Sequence, residues 1–289
     1  TNQRLAKVCF LMSMNQDKPG LMPPGATVVK LQIRTDVEPG QAVLHTLPVS
    51  TRAKAVEVPD ESSSASANTI EVLMIPGSSL DDSQFSELAG NWVGSLLRDS
   101  NRSAMPVALQ GAMIYWSPQR VAVIAPTDRL NAVRGAVVEF CYFEHQLRTM
   151  EEDIAARWPQ LEIDTPLAFE FLEKAVSQKR ELMRRFQDVI RMRAQLARLA
   201  PHIECPPVYP PTLVSQVGER LREKARLSER LQFVREQVEV FEKVYEMCGQ
   251  RVSDFMSSRT SHTLEWVIII LLAAETILLI VDLLSSTAN

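Results

Sequence analysis

LEWVIIILLAAETILLIVDLL, Leu264–Leu284, is the stretch whose reading decides the fold. Its 21 residues match the ~20 that a helix needs to cross the hydrocarbon core of a bilayer, and no other window is comparably long and apolar. A helix buried in a soluble core can carry such a run too. However, only SSTAN follows it, and the remaining chain offers no apolar surface large enough to wrap it on all sides. A C-terminal transmembrane helix is therefore expected. Glu265 opens the run, Glu275 stands in its middle and Asp282 lies near its exit. A carboxylate at mid-depth costs about 2.5–3.5 kcal/mol on insertion scales, so Glu275 should be neutral or face another membrane helix. The plainer alternative is a tolerated neutral acid with no partner.

The flanks set an orientation. Arg251, Arg259 and His262 precede the run and no basic residue follows it, which places the bulk of the chain on the cytosolic or matrix side. With 289 residues and 46% apolar content, the chain is long enough for a sizeable core. Its net charge of −4 is unevenly spread: residues 166–262 hold 17 Lys+Arg against 13 Asp+Glu, and the rest holds 14 against 22. Cys9, Cys141, Cys205 and Cys248 are far apart and form no metal-ligand spacing, which suits reduced thiols.

Upstream of the run, the chain reads as an α+β head domain over 1–126. Residues 1–24 form a lead-in rich in turn residues, including VCFLM and several prolines. ATVVKLQI (Ala26–Ile33) and TIEVLMI (Thr69–Ile75) have the β-branched content of strands; Pro39-Gly40 closes the segment after the first, and Pro76-Gly77 stops the second. PDESSSASAN, residues 59–68, reads as a polar surface loop. Asp81, Asp82 and Ser83 can cap a helix bearing Phe85, Leu88, Trp92 and Leu96. VALQGAMIYW and RVAVIAP read as two hairpin strands joined at Ser117-Pro118-Gln119, with Gly111 as a bulge.

Residues 127–263 read as helical. Thr127 can cap a helix with Leu130, Val133, Val137, Phe140, Glu144 and Leu147 on one face, and Trp158-Pro159 is expected to end it. A second helix, 166–200, starts at Pro166, carries Leu172, Val176, Leu182, Phe186, Val189, Leu196 and Leu199, and stops at Pro201. PHIECPPVYPP then connects it to a third helix, 212–260. There Leu227, Leu231, Val234, Val238, Phe241, Tyr245, Cys248, Val252 and Phe255 alternate steps of four and three as a heptad seam. An exposed apolar stripe of that length needs cover. The expected cover is the 166–200 helix in a long antiparallel, coiled-coil-like hairpin, with the head or another protein covering the rest. Ser257–Thr263 is the expected kink between this rod and the span.

The C-terminal half resembles the required-for-meiotic-nuclear-division protein 1 family. The resemblance rests on PPVYPPTL (Pro206–Leu213), the long heptad helix, and Leu264-Glu265-Trp266 opening an apolar run with Glu275 inside it. It covers residues 166–284, and the head only in its strand and helix layout. Pro210 stands where the family places Trp, and the Ser-rich segment near Ser62 is an addition to the family pattern. The resemblance implies a mitochondrial inner-membrane protein, with its soluble part in the matrix, that supports mitochondrial translation by holding ribosomes near the membrane.

No catalytic or metal constellation is visible. His45, His145, His202 and His262 lack partners at ligand spacing, and there is no phosphate-binding loop, G-x-S-x-G or H-E-x-x-H. Glu151, Glu152 and Asp153 read as a solvated turn. No enzyme activity, cofactor or metal is expected. Two sets of residues remain as candidates for contact. Leu264, Glu265, Trp266, Glu275 and Asp282 would anchor the chain and meet a membrane partner. Lys179, Arg180, Arg184, Arg185, Arg191, Arg193 and Arg198, with only Glu181 and Asp188 among them, would meet ribosomal RNA or lipid headgroups; a solvated helix face is the plainer reading.

Two functional readings follow. The first is a membrane-tethered scaffold supporting mitochondrial translation, as the resemblance implies. The second is a non-catalytic accessory subunit of an inner-membrane complex such as a respiratory complex or ATP synthase. Either role is compatible with a homo-oligomer, because a heptad seam pairs within a chain or between chains.

Overall fold

The computed structural model describes residues 23, 25–35, 41–48, 53–58, 69–77, 83–95, 104–169, 176–205 and 212–287, with side chains up to residue 280 except 279. The lead-in apart from Pro23, Pro39-Gly40, the Ser-rich segment 59–68, Asp81, Asp82, Leu96, Leu172 and the connector residues 206–211 lie outside this set. The chain divides into two compact units. One comprises Thr1–Thr149 and Ala197–Gln232; the other comprises Met150–Leu196 and Phe233–Asn289.

The first unit is built on a mixed sheet. Its described strands are β1 (Thr27–Arg34), β2 (Val43–Thr46), β3 (Lys54–Glu57), β4 (Thr69–Pro76), β5 (Met105–Leu109), β6 (Ala112–Trp116) and β7 (Arg120–Ala125). They lie in the order β2-β3-β1-β4-β7-β6-β5, and the β4–β7 pair is parallel while its neighbours are antiparallel. Both central strands are apolar in nearly every position because both faces are covered. Leu73, Ile75, Ala122 and Ile124 form a fully buried cluster with Ala89 and Val93 of α1 (Ser83–Gly94), onto which Phe85, Leu88 and Trp92 pack. The alternate side chains Val72, Val121 and Val123 are equally buried. On the side of Trp116, a ring edge meets Phe140 of α2 (Thr127–Asp164) at 5.3 Å.

VALQGAMIYW is two strands, not one bulged strand. Gln110 and Gly111 form a two-residue turn with φ of 46° and 83°, and positive values at both positions give the turn twist that joins antiparallel strands directly. The expected β6–β7 connection at Ser117-Pro118-Gln119 is present.

Two prolines expected to end helices do not. α2 continues through Pro159 to Asp164. An interior proline weakens a helix by about 3 kcal/mol, but tertiary contacts on either side hold this one. Ile154 and Leu161 are buried, and Trp158 packs edge-on against Phe241 at 5.0 Å while its indole N–H donates to Gln237 at 3.0 Å. The second helix begins as a single turn, α3 (Pro166–Phe169), and then as α4 (Lys179–Glu204), which runs past Pro201 with Ile203 buried.

The third helix is divided at its start and prolonged at its end. Thr212 caps α5 (Leu213–Lys224) in a reciprocal capping box with Ser215. A two-residue turn at Ala225-Arg226, with Arg226 at φ 52°, separates α5 from α6 (Leu227–Thr287). The helix α6 then runs unbroken for 61 residues, and no interruption occurs over Ser257–Thr263. Thr260 and Thr263 donate their hydroxyls to the carbonyls of Met256 and Arg259, each at 2.9 Å, so these polar side chains are satisfied along the helix itself.

Candidate functional site

The heptad seam is buried over almost its whole length. Leu227, Leu231, Val234, Val238, Phe241, Tyr245, Cys248 and Val252 are all at most 5% exposed, and Phe255 is half-buried. Within the second unit the seam reaches the end of α2, where Trp158 meets Phe241 edge-on and Asp164 accepts from Tyr245. On α4, Leu182, Val189 and Leu196 are buried as well. Arg193 pairs with Glu242, and the Lys179 ammonium lies 3.6 Å from the Met256 sulfur.

Beyond the seam, burial stops abruptly. From Leu264 to Ile280, eleven large apolar side chains stand 47–68% exposed, with no protein over them on any side. This part of α6 is the one described helix long and apolar enough to cross a membrane. Leu264, Glu265 and Trp266 open it, and Glu265 lies 3.3 Å from the His262 ring nitrogen. Glu275 sits among these exposed side chains, and Asp282 falls on α6 where side chains are not described. In water, an apolar surface of this size on a helix would associate or aggregate.

The seven basic residues of α4 are mostly engaged with acids. Arg184 pairs with Glu181 at 2.7 Å and Arg191 with Asp188 at 3.0 Å, both as neighbours along one helix. Arg193 reaches Glu242, and Arg185 pairs with Asp164 and with Glu181. Arg180 and Arg198 are exposed and make no ion pair with a described residue, and Lys179 has only the Met256 thioether as a described partner. The continuous cationic strip suggested by the sequence is thus divided among local pairs, with three cations left over.

Arg185 belongs to a buried polar cluster that no sequence pattern signals. Asp164 ends α2 only 2% exposed. Its carboxylate accepts from Arg185, from the Tyr245 hydroxyl at 3.1 Å and from the Gln160 amide at 3.0 Å, while its carbonyl lies 3.8 Å from the Cys248 sulfur. Burial and the Asp164 charge push the Tyr245 phenol well above its ordinary range and the Cys248 thiol up to about 11. Both groups therefore stay protonated and serve as donors. The cluster joins three helices of one unit in the low-polarity environment where a satisfied network is most rigid.

In the other unit Glu144, expected on the apolar face of α2, is indeed 3% exposed. It is held between Arg148 at 3.8 Å and Arg230 at 3.4 Å. Burial pushes the adjacent Cys141 thiol far up, and burial lowers the pKa of His45, whose ring lies against Gly135. Among the described residues no group of three His, Cys, Asp or Glu side chains is placed to hold a metal ion. Glu151, Glu152 and Asp153 lie within α2, not in a turn.

The sequence matches no protein-family model and no curated protein. The family resemblance therefore rests on Leu264-Glu265-Trp266, Glu275, the connector and the seam alone.

Proposed function

We propose that this chain is a membrane-anchored scaffold without catalytic role, held by α6 from Leu264 onward and presenting its α+β unit and helices on one side of the bilayer. The observation that carries this reading is the uncovered apolar surface of Leu264–Ile280, which only lipid or other membrane helices would satisfy along its whole circumference. Arg251, Arg259 and His262 flank its entry and favour the cytosolic or matrix side for the preceding chain. Lys179 beside Met256 and Arg193 beside Glu242, with numbers running in opposite directions, support α4 and α6 as an antiparallel hairpin that stiffens the approach to the membrane.

Following the family resemblance, the membrane is the mitochondrial inner membrane, the soluble part faces the matrix, and the scaffold supports translation by positioning ribosomes. Arg180, Arg198 and Lys179 are the cations available for phosphate. The second reading, an accessory subunit of an inner-membrane complex, is favoured by Glu275, a carboxylate that a neighbouring membrane helix would pair. Native-gel fractionation of mild-detergent extracts separates the two: comigration with ribosomal RNA supports the first and comigration with a respiratory complex the second. Release of the protein from membranes by alkaline carbonate would refute the anchor itself.

A further inference from the structure

Independently of the membrane reading, the first unit contains a cavity of about 400 Å³ at the end of its sheet, within the size range of small-molecule sites. It opens where β1 ends and β3 and β4 begin, and Tyr142, His145 and Gln146 of α2 form its opposite wall. Ile70 and Pro118 are among the apolar residues of its floor. The polar side chains are almost all donors, and among the described residues no Asp or Glu lines it.

Three of these side chains, Arg34, Tyr142 and Gln146, point the same way chemically. Arg34 spends its Nε on Gln32 at 2.9 Å, which leaves its two terminal nitrogens, the planar fork suited to an oxyanion, without a described acid partner. Lys54 stands directly opposite Arg34 in the β1–β3 register, and like charges opposed across strands are unfavourable unless an anion lies nearby. The Tyr142 hydroxyl and Gln146 amide make no hydrogen bond to a described residue, and burial raises the Tyr142 pKa, keeping it a donor.

We infer that this cavity binds a small organic oxyanion, a carboxylate or phosphate ester, with its charged end on Arg34 and Tyr142 and its apolar body on Ile70 and Pro118.

The test uses the full chain in detergent micelles, titrated calorimetrically with inorganic phosphate and, separately, with benzoate. One saturable site per chain is expected for at least one probe: phosphate alone assigns a phosphoryl ligand, and benzoate alone a carboxylate. Arg34→Gln should weaken that binding about tenfold or more, and Tyr142→Phe several-fold. Both variants should keep the unfolding midpoint of the free protein, because Arg34 is exposed and Phe retains the ring packing against Phe143. Absence of a saturable site for both probes, or affinities unchanged in both variants, overturns the inference.

Discussion

Placing an arginine at Ile277 is the sharpest test of the membrane reading, because water and lipid predict opposite outcomes. Ile277 is 61% exposed, and it lies three residues from the midpoint of Leu264–Leu284, or about 4.5 Å in depth. It is two positions from Glu275, so the new cation and that carboxylate do not face each other along the helix. If this surface met water, Ile277→Arg would change stability by less than about 0.5 kcal/mol, as surface substitutions do. In lipid the exchange costs about 3–4 kcal/mol on the insertion scale. The fourteen Leu, Ile and Val side chains of the run contribute about 4–8 kcal/mol to insertion, and Glu275 opposes them by about 2.5–3.5. The margin is a few kcal/mol, so the arginine should bring insertion close to balance, whereas Glu275→Leu should widen the margin. The assay is the carbonate-resistant fraction after translation in the presence of membranes. Equal resistance for Ile277→Arg and the unaltered chain would refute the reasoning.

The buried cluster and the turns give further outcomes. Asp164→Ala should destabilise the second unit by about 3 kcal/mol by leaving Arg185 and Tyr245 without their acceptor, whereas Arg184→Ala, in an exposed pair, should leave its stability essentially unchanged; hydrogen exchange at Tyr245 reads the difference. At pH 8.5 iodoacetamide should label exposed Cys205 and spare Cys141 and Cys248 in the folded chain, as peptide mass spectrometry would show, because raised pKa values leave little thiolate. The sign for stability follows: a thiol raised to about 11 favours the fold below its ordinary value near pH 8.5, and that contribution is lost as pH rises toward 11. Gly111→Val should destabilise the first unit by about 1–2 kcal/mol, measured by thermal unfolding, because a β-branched residue resists φ of 83°.

Legibility in the sequence followed periodicity. The faces of α2 and α6 were readable because Val133, Val137, Phe140 and the seam from Leu227 to Val252 repeat over many turns, and nearly every such position is buried. Short segments were not: VLHT and KAVE, four residues each, carry too little pattern to stand out as β2 and β3. Gln110-Gly111 was misread because glutamine is an uncommon occupant of a left-handed turn position, and a lone Gly within apolar residues also fits a bulge. Pro159 and Pro201 were overrated as stops because local helix preference yields to packing by Trp158 and Ile203. The Asp164 cluster joins residues 21 and 81 positions apart, and Arg193 meets its acid 49 positions away, so no local spacing could show either. The long apolar helix at the end of α6 was legible because apolar length is local information.

The unbroken course of α6 also fixes an angle. At about 100° per residue, Glu275 stands about 140–180° around the helix axis from Val252, Cys248 and Phe241. The Glu275 carboxylate therefore points away from the side that carries the buried seam. Any membrane helix that paired with Glu275 would approach from the back of the rod, leaving the buried seam undisturbed. Removing one residue from Ser257–Thr263 would swing that carboxylate by about 100°, whereas removing seven would shorten the rod by about 10 Å and nearly restore its azimuth. The length of this polar segment is a rotational setting for the exposed apolar end of the helix.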